Sequence, residues 1–470
     1  MSTIGRKLMQ VWTGIGTRYL PFADAATPEL PLSRLLRLSL FQITVGMAVT
    51  LLVGTLNRVM IVELGVPASI VAVMVALPLL FAPFRALIGF KSDNHQSALG
   101  WRRVPYIWKG TLLQFGGFAM MPFALLVLSG GGESGALPTW VGQLGAAVAF
   151  LLVGAGMHTV QTVGLALATD LAEPEARPKV VGLMYVMLLL GTIVSAFFFG
   201  WLLADFTPAK LIQVIQGAAL TTMILNVLAL WKQESRHPRR GAQRHDDDPS
   251  FVEAWRHFVG NGNQVVRRLL TIGLGTAAFT MEDVLLEPYG GQVLGLTVGD
   301  TTKLTATLAL GGLFGFGLAS KVLSRGMDPF RMACWGALVG IPAFIFVIIA
   351  APMNSPFVFA AGVALIGFGG GLFGHGTLTA TMNLAPPNQA GLALGAWGAV
   401  QATAAGLAMA LGGILRDLVQ AFVTWHPWTH WISIPATGYV FVYLLELVIL
   451  LAAIAAMVPL IGRQARRVPA

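Results

Sequence analysis

Charge is what this 470-residue sequence has least of: only 11% of its residues are Asp, Glu, Lys or Arg. A soluble domain needs roughly a quarter of its residues charged to clothe its surface, so water is excluded as the main solvent of most of this chain. Cysteine is almost absent. The lone Cys334 lies in an apolar run, which excludes a disulfide framework and a cysteine-rich metal site. No Walker loop, zinc-protease helix or nucleophile elbow occurs, and this argues against an enzyme. Gly369 to Gly374 fits the spacing G-x-G-x-x-G, but it follows no strand and sits inside an apolar run, so no dinucleotide site is read from it. The first apolar run begins only near Leu35 and no small-residue processing site follows a short apolar stretch, so no cleaved signal peptide is expected.

Hydrophobic residues make up 56% of the chain, with a mean hydropathy of +0.73. A bilayer core ~30 Å thick needs about twenty apolar residues per helix, and runs of that length recur. They predict helices over Leu36–Val62, Ala68–Phe90, Pro105–Ser129, Trp140–Thr169, Val180–Ala204 and Ala209–Trp231. After a polar stretch, six more follow over Leu269–Tyr289, Val298–Ser320, Arg331–Ala351, Phe357–Met382, Gly391–Val423 and Ile434–Ile461. Gly311 with Gly315, and Gly367 with Gly371, have the spacing of close helix crossings. Two amphipathic stretches, Ile4–Leu20 and Phe251–Val266, suit the inner leaflet or solvent equally.

The 30 basic and 21 acidic residues leave a net charge of +9, which in such a chain reflects topology rather than affinity for nucleic acid. With the amino terminus placed in the cytoplasm, 25 of the 30 Lys and Arg fall on cytoplasmic segments. Only Lys210 and Lys303 fall in outer loops; Arg58, Arg85 and Arg416 lie within helices. Both termini are therefore expected on the cytoplasmic side.

The two halves echo each other. Thr169–Pro174 (TDLAEP) after the fourth helix matches Met382–Pro387 (MNLAPP) after the tenth, and Gly182 matches Gly395. Six helices, a long basic loop and six related helices is the layout of the major facilitator superfamily. Gly89, Asp93 and the Arg102–Arg103 pair after the second helix resemble that superfamily's signature with a longer spacer. The expectation is an all-α integral membrane protein: twelve transmembrane helices in two pseudo-symmetric six-helix halves. Residues 1–35 form a cytoplasmic segment, 36–231 one bundle, 232–268 a cytoplasmic linker, 269–461 the second bundle and 462–470 a cytoplasmic tail.

Ionisable side chains inside a membrane are costly and need a partner or a cavity. Arg58 and the cluster Glu282, Asp283 and Glu287 lie at comparable depths on the first and seventh helices, ~33 and ~27 Å along. They read either as an ion pair of Arg58 with Glu287 or Glu282 that locks the outer side, or as a proton or ligand site. Arg85, Asp93, Arg102 and Arg103 read as a cytoplasmic gate. His158 and His375, each beside glycines, are candidate pigment ligands or plain helix-to-helix hydrogen-bonding groups. No metal site is expected.

Four stretches carry a narrower resemblance: Thr55–Pro67 (TLNRVMIVELGVP), Pro83–Gly89 (PFRALIG), Trp101–Trp108 (WRRVPYIW) and Glu282–Gly291 (EDVLLEPYGG). They resemble the PucC/LhaA family of phototrophic bacteria, the bacteriochlorophyll-delivery branch of the superfamily, with the pattern slightly closer to LhaA. The resemblance implies an assembly factor for light-harvesting antenna complexes, the core antenna in the first place. It implies bacteriochlorophyll as a bound or delivered group. The implied partners are antenna polypeptides, the reaction centre–antenna complex and pigment-synthesis enzymes, in the bacterial inner (intracytoplasmic) membrane. A proton-coupled transporter of a small solute is the other reading, with Glu282, Asp283 or Glu287 as its proton site.

Overall fold

The computed structural model describes residues 26–27, 30–80, 88, 92, 100–131, 137–173, 176–234, 264–384, 390–425 and 434–462. Arg85, Asp93, Ile4–Leu20, the greater part of the linker and the carboxy-terminal tail lie outside them. Among the described residues twelve helices follow in order. The first six are α1 (Leu32–Glu63), α2 (Ala68–Leu80), α3 (Val104–Leu128), α4 (Thr139–Leu171), α5 (Arg177–Leu202) and α6 (Pro208–Leu230). The second six are α7 (Val265–Gln292), α8 (Val298–Leu323), α9 (Pro329–Ala350), α10 (Pro356–Leu384), α11 (Ala390–Trp425) and α12 (Thr437–Met457). Eleven of them are long and apolar enough to cross a membrane; α2, described over 13 residues, is a shorter apolar helix. The helical faces leave Phe123, Trp140, Phe314 and Phe357 more than 60% exposed. Side chains of that size on a continuous outer surface need lipid around them.

Two helices depart from the regular form that hydrophobicity predicts. The distal part of α1 widens into π-helical turns at Thr50–Leu56 and Val59–Glu63. The expected continuous seventh helix is instead broken: an α-helix over Val265–Ala278, a 3-10 turn over Glu282–Val284, and a second α-helix over Leu286–Gln292. Pro288 bounds the break on its distal side. It lacks an N–H and its ring clashes with the carbonyl four residues back, which belongs to Val284. That carbonyl accepts a hydrogen bond from Asn57 Nδ2 of α1 instead, at 2.8 Å.

Each half has its own apolar core. One gathers Phe41, Phe118 and Phe150; the other gathers Tyr289, Phe344, Phe359 and Tyr443. The face carrying Lys232 and Val265, the two ends of the linker, is the linker face; the opposite one is the distal face. The halves are joined near the distal face. Thr55 and Thr302 hydroxyls meet at 3.2 Å, Arg58 Nη2 donates to the Leu296 carbonyl at 3.1 Å, and the Ser69 amide donates to Asp417 at 2.7 Å. Close approach there depends on glycine: a Cβ on Gly299 of α8 would sit 2.6 Å from the Gly200 carbonyl of α5. The same holds within the second half, where the backbones of α8 and α10 meet at Gly311, Gly315, Gly367 and Gly371 as their spacing predicts.

Candidate functional site

The break in α7 sets out three carboxyl groups in different surroundings. Glu282, on the 3-10 turn, is fully buried. It lies beside Glu446 of α12, also fully buried; none of the four carboxyl oxygens has a hydrogen-bond partner among the described residues, and the Glu282 backbone amide is the donor beside them. Tyr443 stands one turn before Glu446 on the same helix. It too is fully buried, and its hydroxyl has no hydrogen-bond partner among the described residues. Asp283 follows Glu282 and is of intermediate exposure.

Glu287 begins the distal half of α7 and is separate from that pair. One of its oxygens accepts a hydrogen bond from the Thr305 hydroxyl of α8. Its carboxyl presses against α1, where a Cβ on Gly54 would come within 2.5 Å of Glu287 Oε1. Arg58 forms no salt bridge with Glu282 or Glu287, the partners that depth alone suggests, although its charge acts on the Glu287 carboxyl. Its Nη1 bonds to Glu63 of the same helix, five residues on. The reason is the π-helical turn over Val59–Glu63, which places residues i and i+5 above one another where an α-helix would not. The guanidinium lies over Gly291, one turn distal to Glu287.

Further toward the distal face, Arg416 of α11 bonds to Asp417 at 2.7 Å and to Gln292 Oε1 at 2.7 Å. Tyr439 of α12 donates to the same Gln292 oxygen at 2.7 Å and lies under the guanidinium of Arg416. Asp417 reaches across to the Ser69 amide of the first half. In the sequence Arg416 stands out only as an intramembrane arginine, and Gln292, Asp417, Tyr439 and Glu446 are not among the residues that its patterns single out. Glu446 is the one acidic residue in a run of apolar ones from Gly438 to Leu460, and that isolation was the available signal.

At the linker face, Arg102 and Arg103 meet Asp170 of the TDLAEP stretch, Arg103 Nε at 3.0 Å. Arg103 also donates to the Ser92 hydroxyl at 2.7 Å. Glu234, at the start of the linker, accepts from the backbone amides of Arg102, Arg103 and Val104 at 2.9–3.0 Å and so caps α3 from 130 residues away. His158 lies buried in α4. His375 lies in α10 with its ring 4.2 Å from that of Phe316 on α8, and its Nδ1 has no hydrogen-bond partner among the described residues. The two histidines belong to different halves, so they do not form one ligand set. Among the described residues no group of three His, Cys, Asp or Glu side chains could hold a metal ion.

Two six-helix halves joined by a linker, with buried charge where the halves meet, define a membrane protein of the major facilitator fold. The solved nucleoside transporter NupG shares that fold: it superposes with a TM-score of 0.67 at 15% identity, over 92% of this chain and 99% of NupG. Within this class the chain belongs to the PucC protein family, whose pattern it matches over residues 55–465. It is 67% identical to the protein PucC of Rhodovulum sulfidophilum over 409 residues, 86% of this chain and 90% of that one. It is 57% identical to the protein PucC of Cereibacter sphaeroides over 461 residues, 98% of each.

Proposed function

We propose that this chain is a non-enzymatic assembly factor for bacterial light-harvesting antenna complexes, binding or delivering bacteriochlorophyll, antenna polypeptides or both within the membrane. The observation that carries this reading is the family match over residues 55–465, on a transporter fold. The charge distribution adds the orientation: linker, both termini and the Arg102–Arg103 pair face the cytoplasm of the inner membrane. His375 and His158 remain the first candidates for a pigment's magnesium, since neutral imidazole is a ready metal ligand. Beside His375 a Cβ on Gly374 would meet nothing within 4 Å, whereas one on Gly376 would meet the Ala333 backbone at 2.8 Å, so the open side of the helix there is that of Gly374.

The deciding experiment is a deletion strain read by absorption spectroscopy with pigment quantified separately. Antenna bands should fall while bacteriochlorophyll synthesis continues, and the full chain should restore them. Loss of the core band alone makes the core antenna the client; loss of a peripheral band moves the client there. Unchanged antenna absorption, with no related protein taking over, defeats the proposal.

A further inference from the structure

The Glu282–Glu446 pair is the least explained group of atoms in the molecule. Isolated carboxylates are among the most expensive groups to bury in a membrane. Here two adjoin each other, both fully buried, and among the described residues none of their four oxygens has a hydrogen-bond partner, the Glu282 backbone amide being the donor that lies beside them. Glu287, by contrast, has the Thr305 hydroxyl, and Arg58 has Glu63. Two like charges at contact in a low-dielectric interior repel strongly, so a doubly ionised pair with no cation beside it is not a stable arrangement. A proton between the two carboxyls removes that repulsion and fills the vacant hydrogen-bonding capacity at once.

Three further features point the same way. The Tyr443 hydroxyl, buried and without a partner, is carried to the pair on the face of α12 that bears Glu446. The pair sits at a break in a membrane helix, and discontinuous helices are where many secondary transporters hold their coupling ions. From Tyr443, polar side chains continue distally: Tyr443 and Tyr439 both pack edge-on against Tyr289, and Tyr439 bonds to Gln292, which holds Arg416. Among the described residues no group of three His, Cys, Asp or Glu side chains is arranged so as to hold a metal ion.

We infer that Glu282 and Glu446 together form a binding site for one exchangeable proton, placed where α7 breaks and where α12 packs against it. Among the described residues no basic side chain is bonded to either carboxyl. Asp283 on α7 adds a further acid, and Tyr443, Tyr439 and Tyr289 add hydroxyls. On α11, Arg416 is held by Asp417; on α1, Arg58 is held by Glu63. The described residues of α2 carry no titratable side chain, and α9 contributes only Arg331 and Cys334, in its first two turns from the linker face. Glu282 also shares its 3-10 turn with Val284, whose carbonyl holds Asn57 of the other half. Proton occupancy and the distal contact between the halves therefore meet in one turn.

The inference does not rest on the antenna reading, and its test uses the purified full chain in lipid nanodiscs with no pigment or antenna present. Infrared difference spectra between acid and alkaline buffer should show a buried carboxyl C=O band that grows on acidification and ignores sodium. Both Glu282→Gln and Glu446→Gln should shift that band in frequency and in the pH at which it appears, and the double variant should lack it. Tyr443→Phe should shift its frequency without removing it. Asp283→Asn and Glu287→Gln should leave it in place. Should one Gln variant fail to run as a single species on size exclusion, the other carries the same expectation. A band unchanged in the surviving Gln variants overturns the proposal, as does the absence of any titrating buried carboxyl. A band that responds to sodium instead of pH makes the site a metal-cation site and overturns it equally.

Discussion

At the scale of single residues, Asn57 shows how one side chain repairs a defect made elsewhere. Pro288 strips the Val284 carbonyl of its helical partner, and Asn57 Nδ2 supplies another from the opposite half. Asn57→Ala should therefore leave a buried acceptor unpaired and lower stability by ~1–3 kcal/mol, read by thermal unfolding in detergent. In a Pro288→Ala background the helix amide can return, so the same substitution should lose much of its effect. Equal losses in both backgrounds would show that Asn57 acts through some other contact. Arg58 supplies a second case. A double-mutant comparison should couple Arg58→Ala to Glu63→Gln more strongly than to Glu287→Gln, because the ion pair runs within α1. The residue types were plain in the sequence, but the partner was not. Depth along a helix is a one-dimensional coordinate, and the π turn that aligns Arg58 with Glu63 has no marker in composition.

At the scale of elements, helices made of apolar residues gain little in lipid by burying one another, so close packing and polar contacts must hold them. The crossing of α5 and α8 is such a contact. Gly299→Ala should push the Gly200 carbonyl away, opening the distal join at an overpacking cost of ~1–3 kcal/mol. The unfolding midpoint in detergent should fall with it; a midpoint equal to that of the parent chain would show that the join tolerates the methyl group. At the other face, Glu234→Ala removes the acceptor of three α3 amides and should lower stability by about 1 kcal/mol or more, checked by the unfolding midpoint. Glu234→Gln, which keeps a carbonyl oxygen, should lie between. Hydropathy placed α3 to within a residue or two. It had no means of showing that its cap comes from the linker, because a cap drawn from 130 residues away leaves no local signature.

At the scale of the whole molecule, one orientation is expected to govern every exposed segment. Tags at either terminus or within the stretch from Lys232 to Arg268 should react only from the cytoplasmic side, while a tag beside Lys210 should react only from the other. Labelling of the carboxy terminus from the periplasm would break the even helix count. That expectation rests on 25 of 30 basic residues lying on one side. It needs no coordinates, because each positive charge resists crossing independently of how the helices pack.

Composition and contiguous motifs suffice for the solvent, the number of helices, their approximate limits and the family. Each of these follows from local composition or from contiguous motifs: a run of about twenty apolar residues is a span wherever its neighbours lie. The tertiary structure alone decided which buried groups meet. Glu282 and Glu446 stand 164 residues apart in the sequence and on helices that touch only once the second half has assembled. Helical faces in lipid carry no apolar-against-polar contrast to announce which one turns inward. The adjacency of those two carboxyls, the handing of the Val284 carbonyl to Asn57 and the join at Gly200 and Gly299 are properties of surfaces brought together, and they exist only in three dimensions.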